Sequence, residues 1–146
     1  MTDSNVNISL EPRLIIEDVD AALDFYSVTI GANRLQRFMD QNGRVVHAAM
    51  QIGESVFTMA QAVADWGLTS PVKDMGASVL LHLTVSNPDE TAQAMVKLGG
   101  EVVIEIDDRP YGRREGRVRD PFGHAWILSK TIESLTDEQI QARFAG

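Results

Sequence analysis

A chain of 146 residues with an apolar share of 44% is long enough for one compact domain or two small fused halves. Its net charge of −8 argues against nucleic acid, which needs a clustered positive surface, and the lack of cysteine removes disulfides, thiol nucleophiles and thiolate metal sites. No apolar run approaches the ~18 residues of a membrane span, and the polar opening stretch Met1 to Asn7 shows no basic-then-apolar leader pattern, so a cytoplasmic, membrane-free protein is the expectation.

In chain order, "LIIEDVDAALDFYSVTIGA" reads as a strand, an acidic cap, an amphipathic helix and a glycine stop. Asp18 is a good N-cap, because its side-chain oxygen can accept a free helix N–H. Ala22, Tyr26 and Ile30 share one helix face and are expected in the core. Three strand-like runs follow, Arg34 to Met39, Val45 to Ile52 and Ser55 to Ala60, separated by Gln41-Asn42-Gly43 and Gly53-Glu54. A stretch holding Trp66, Gly67, Pro71 and Gly76 then interrupts the pattern.

The plan repeats. "LHLTVSNPDETAQAMVKLGG" is again strand, cap, helix and glycine, with Asn87 as N-cap, Pro88 at the first helical position and Glu90 following in a capping-box pattern. Ala92, Met95 and Leu98 form its apolar face, and Gly31 and Gly99 suit the left-handed residue that ends each helix. Runs Glu101 to Ile106, Arg114 to Arg119 and Ala125 to Lys130 complete the second half. Asp120-Pro121-Phe122-Gly123 has the residues of a type I turn, His124 after it is expected at the surface, and "DDRPYGRREG" reads as a loop. Thr136 and Gln139 open a short C-terminal helix. The expected division is residues 8–61 as the first βαβββ module, 62–77 as linker, 78–130 as the second module and 131–146 as tail.

Strand alternation assigns faces. Glu11, Arg13 and Ile15, then Val56, Thr58 and Ala60, face inward in the first half. Leu80, His82 and Thr84, then Ala125, Ile127 and Ser129, do so in the second, while Trp126 and Leu128 pack under the helix. The inferred hollow is apolar with sparse polar groups, suited to an aromatic ligand oriented by a few hydrogen bonds. Trp66 and Tyr111 either cap the core or stack on a planar guest, and Arg109, Arg113 or Arg114 beside Tyr111 offers a cation–π or anion contact. The basic run Arg109 to Arg119, interleaved with acids, reads either as a solvated strand face or as an anion-contacting segment.

"DFY" with "GA", "RVVHAAMQIGES", "LHLTV" and "YGRREGRVRDPFGHAW" together resemble the vicinal oxygen chelate, or glyoxalase/bleomycin-resistance, superfamily, in its drug-resistance-like branch. The resemblance implies an α+β fold, with paired βαβββ modules forming a curled mixed sheet around a concave cavity. It also implies a homodimer whose cavities both chains complete. Metal-using relatives carry ligands at positions that fall here on Glu11, Thr58, Leu80 and Ile127, a set too poor in donors for a divalent ion. No metal and no cofactor are therefore expected, although His82, His47 and Glu11 are donors that an offset site would use. The leading expectation is a metal-free binding protein that sequesters a planar aromatic or peptide-like antibiotic or toxic metabolite through Glu11, Arg13, His47, Thr58, Trp66, His82, Tyr111 and Arg114. The alternative is a lyase, isomerase or dioxygenase with an offset metal, or a metal-free catalyst using His82 or a buried Glu11 of raised pKa as base.

Overall fold

The computed structural model describes residues 7–146; the polar opening segment 1–6 lies outside the described residues. Strand β1 (Arg13–Ile16) leads through Asp18, whose Oδ1 accepts the Ala21 N–H at 3.0 Å, into helix α1 (Val19–Thr29). Strands β2 (Asn33–Met39), β3 (Val45–Ile52) and β4 (Ser55–Gln61) follow as a meander. The second half repeats this with β5 (Leu80–Thr84), α2 (Pro88–Lys97), β6 (Glu101–Arg109), β7 (Arg113–Arg119) and β8 (Ala125–Thr131), and α3 (Asp137–Ala145) ends the chain.

Each half forms a four-stranded mixed sheet, in the orders β1-β4-β3-β2 and β5-β8-β7-β6. The first strand of each half pairs parallel to the last, and the remaining pairs are antiparallel. This is the expected α+β fold of paired βαβββ modules, with neither sheet closed into a barrel. Helices α1 and α2 pack on one face of the sheets, and a single apolar cluster runs through both halves. Tyr26 of α1 sits edge-on to Phe57 of β4 at 5.4 Å and tilted against Trp126 of β8 at 5.5 Å, so the core crosses the module joint.

Asp120 ties that joint. Its Oδ1 accepts the Phe122 and His124 N–H groups, closing the expected turn, while its Oδ2 accepts Tyr26 Oη–H at 2.5 Å and Trp126 Nε1–H at 2.8 Å. A carboxylate this buried (3% exposed) is tolerated because both its oxygens have donors.

Several expectations need correction. "DDRPYGRREG" is no open loop: β6 runs on to Arg109 and β7 begins at Arg113, joined by a turn in which Gly112 N–H donates to Arg109 C=O. Pro110 and Gly112 occupy the second and fourth positions of that turn, a signal masked by the surrounding charges. His124 is half-buried rather than at the surface, because its Nε2 meets the Ile15 carbonyl at 3.0 Å. Leu98 is exposed as the helix-capping residue instead of lying in the core. Glu11 is exposed as well, since strand pairing starts only at Arg13 opposite Thr58, so it is not the buried carboxyl that was expected.

Candidate functional site

The faces turned away from the helices carry two polar constellations. On the first sheet, Arg13 Nη2 lies 3.1 Å from His47 Nδ1, and His47 Nε2 lies 2.9 Å from Gln36 Oε1. A neutral imidazole protonated on Nε2 satisfies both contacts, donating to Gln36 and accepting from Arg13. Phe38 stacks on the same ring at 5.5 Å. The pairing Phe38–His47 across β2 and β3 places the two rings side by side. Arg13 and His47, both expected in the site, are thus brought together.

On the second sheet the centre is Glu115, which sequence reading assigned only to a charged strand. Gly116 and Val118 bury toward α2, so alternation turns Glu115 to the opposite face. The register sets Glu115 opposite Ser129, and Ser129 opposite Thr84. Ser129 Oγ–H donates to its Oε1 at 2.7 Å and Tyr111 Oη–H to its Oε2 at 2.6 Å; Arg113 Nε stands 3.6 Å away and His82 Nε2 4.0 Å away. Burial pushes the Glu115 pKa up, but the two hydroxyls, with His82 and Arg113, outweigh it and hold the carboxyl below its ordinary value. Tyr111 is pushed the other way, to about 12, by burial and by its bond to Glu115. The signal that would have exposed Glu115 is its place immediately before the Gly116-x-Val118 core face, which turns it to the opposite side.

A cavity of about 420 Å³ opens between the halves. Phe57, Leu81, Leu83 and Trp126 supply apolar wall, and Glu11 and His82 are its ionisable lining groups besides Glu54. A second groove of about 430 Å³ runs on the other side of β1, past Arg13, Arg119 and His124. The structure therefore brings Glu11 and His82 to one cavity and Tyr111 to the adjoining Glu115.

Other expected site residues stand elsewhere. Thr58 is buried and its hydroxyl donates to the Pro12 carbonyl at 3.2 Å. Arg114 points to the helix side, where it forms a forked pair with Asp89 and also meets Asp108; those hydrogen bonds hold Asp89 below the ordinary carboxylate range. Trp66 is 53% exposed, with Arg44 over its ring at 5.2 Å, and lines neither opening.

The metal-ligand positions implied by the resemblance do not make a donor set. Glu11 is exposed, the Thr58 hydroxyl is engaged, and Leu80 and Ile127 have no donor atoms. Among the described residues no group of three or more histidine, aspartate or glutamate side chains is placed to hold a metal ion. The residues present do not fit such a group.

Comparison with known proteins places these features. A model of the Glyoxalase/Bleomycin resistance protein/Dioxygenase superfamily matches residues 9–128. The uncharacterized protein Mb0911c of Mycobacterium bovis is 33% identical over 145 residues, which cover 97% of this chain and 95% of the relative. A glyoxalase family protein from Bacillus cereus superposes with a TM-score of 0.70 at 22% identity, over 91% of this chain and 99% of the other. The fosfomycin resistance protein FosX from Listeria monocytogenes superposes with a TM-score of 0.64 at 14% identity, over 92% and 98%. Likeness at these identities shows the shared fold.

Proposed function

Because the chain belongs to the Glyoxalase/Bleomycin resistance protein/Dioxygenase superfamily, its hollow is the natural seat of function, and we propose that it binds a small organic molecule there without a metal ion. The guest is an aromatic or peptide-like antibiotic or toxic metabolite, and protection follows from affinity and abundance alone. The observation that carries this reading is the cavity between the halves: Trp126, Phe57, Leu81 and Leu83 provide a flat apolar wall, and His82 and Glu11 provide orienting polar groups. Fosfomycin resistance in the name of one structural neighbour fits the same theme.

The working form is a homodimer. β2 and β6 are outer strands, and they expose Leu35, Phe38 and Met39 on one and Val102, Val103 and Ile104 on the other. A second copy covering these strands would both bury apolar area and deepen the hollow.

The test is a titration of tryptophan fluorescence with aromatic peptide antibiotics, on protein assayed for bound metal before and after chelation. The expected result is saturable binding that chelation leaves unchanged. A stoichiometric transition metal, with binding or turnover lost on its removal, would overturn the proposal in favour of an enzyme.

A further inference from the structure

Arg117 has no account in the fold. It lies on β7 between Gly116 and Val118, both buried toward α2, so its side chain belongs to the concave face. The register sets it beside Ile127 of β8 and Ile104 of β6, with His82 beyond Ile127. Its Nε is buried without a hydrogen-bond partner. Among the described residues every other arginine has a partner, down to the exposed Arg34 and Arg37, each paired with a carboxylate.

The neighbouring charges are committed elsewhere. Glu115, two residues away on the same face, has its oxygens taken by Ser129 and Tyr111. Arg109 spends its guanidinium on the carbonyls of Glu115 and Glu105, and Arg113 bonds the hydroxyls of Ser129, Thr131 and Thr84. In a chain of net charge −8, a half-buried arginine whose Nε is enclosed beside two isoleucines and left without a carboxylate is costly at that atom, because a buried donor without a partner loses its hydration for nothing. Such a cost persists where a ligand completes the group.

We infer that Arg117 is an anion-recognition residue on the concave face of the second sheet, one strand beyond Ile127 from the cavity's His82, and that the guest carries an oxyanion, such as a carboxylate, sulfonate or phosphate, on its apolar body. The inference deepens the small-molecule reading above and rests on it. The isoleucines keep water from its Nε and so strengthen that donor's pull on an anion, and His82 across the face offers a second donor.

The test uses two fluorescent probes of similar aromatic body, anionic 8-anilinonaphthalene-1-sulfonate and neutral N-phenyl-1-naphthylamine. Wild-type protein should bind the anionic probe more tightly, and added salt should weaken that probe alone. Arg117→Met should weaken the anionic probe about tenfold or more and leave the neutral probe unchanged, with Arg117→Lys between the two. The Arg117→Met melting temperature should stay level or rise, since an unpartnered buried donor is removed. Arg34→Gln, at a surface pair, should change nothing. If both probes bind and Arg117→Met alters neither, or if it lowers stability while anionic binding persists, Arg117 is merely structural and the inference falls. If neither probe binds wild-type protein, the small-molecule reading falls first and takes this inference with it.

Discussion

The two halves share one plan but use their concave faces differently. On the first sheet, Arg13, His47 and Gln36 satisfy one another in a neutral-to-cationic chain, and small residues such as Ala49 and Ala60 floor the rest. On the second, β7 alone carries Arg113, Glu115, Arg117 and Arg119 in alternation, around a half-buried carboxylate. The helix-facing sides of both sheets, by contrast, are mainly apolar, with Arg34, Arg37 and Arg114 reaching carboxylates of the helices. The two modules thus share what packing demands and differ on the other faces, where the proposed guest would be read.

The sharpest break in the symmetry lies in two turns. Asp40 and Asp120 each accept two backbone N–H groups, two and four residues ahead, and each is followed by a glycine whose N–H bonds the aspartate carbonyl. Only Asp120 sends its second oxygen into the core, to Tyr26 and Trp126. Asp120→Ala should therefore cost about 3 kcal/mol or more, since it strands two buried donors as well as the turn. Asp40→Ala should cost about 1 kcal/mol, for the turn alone. Calorimetric melting of both variants checks this, and equal losses would mean that the core bonds of Asp120 contribute nothing.

A second comparison separates the two tyrosines. Tyr26 is raised well above its ordinary pKa, first by burial and then by Asp120, and Tyr111 reaches about 12 by burial and its bond to Glu115. A phenol whose folded pKa is raised stabilises the native state below its unfolded pKa near 10, and that stability is lost as pH climbs toward the folded value. Phenolate absorbance should therefore stay low through pH 10 to 11 while the protein is folded and rise mainly on unfolding. Tyr111→Phe should leave this alkaline midpoint set by Tyr26. Glu115, whose folded pKa is lowered, gives the opposite limb: its contribution is present above about pH 4.5 and fades as pH falls through the folded value. Normal phenolate titration at pH 10 in folded protein would contradict both environments.

The C-terminal helix distinguishes the halves as well, since only the second has such an appendage. Phe144 stacks on Tyr111 at 5.2 Å with the rings 19° from parallel, and the Gly112 carbonyl accepts the Ile132 and Glu133 N–H groups. Tyr111 in turn holds Glu115. Phe144→Ala should lower stability by about 1 kcal/mol and loosen Tyr111, seen as a lower phenol pKa. An unchanged phenol titration would uncouple the tail from the hollow.

Much of this architecture was legible because it is local. The caps at Asp18, Asn87 and Thr136, the positive φ of Gly31 and Gly99, and the Asp120 turn all depend on residues within a few positions. The site was legible only in part because it depends on register. Glu115 meets Ser129 through pairing of β7 with β8, and Tyr26 meets Asp120 across 94 positions. Neither partner is implied by neighbouring sequence. Charge also misled: Asp107 to Arg109 resemble a loop, yet they are paired strand whose side chains are exposed or half-exposed.

The smallest predicted effect decides between two roles for an aromatic that sequence alone left open. Trp66 lies on a one-turn helix (Ala64–Trp66) after β4, more than half exposed, with the Arg44 guanidinium 5.2 Å from its ring. Trp126 is 3% exposed and lines the cavity between the halves. The chain has two tryptophans, so each can be read by removing the other. Trp66→Phe should cost no more than about 0.5–1 kcal/mol, the scale of an exposed cation–π contact, and should leave the fluorescence response to the neutral probe intact. Trp126→Phe should abolish most of that response. Were the response to vanish with Trp66 instead, the guest would sit at the outer end of the first module, and the asymmetry that assigns recognition to the second sheet would have to be reversed.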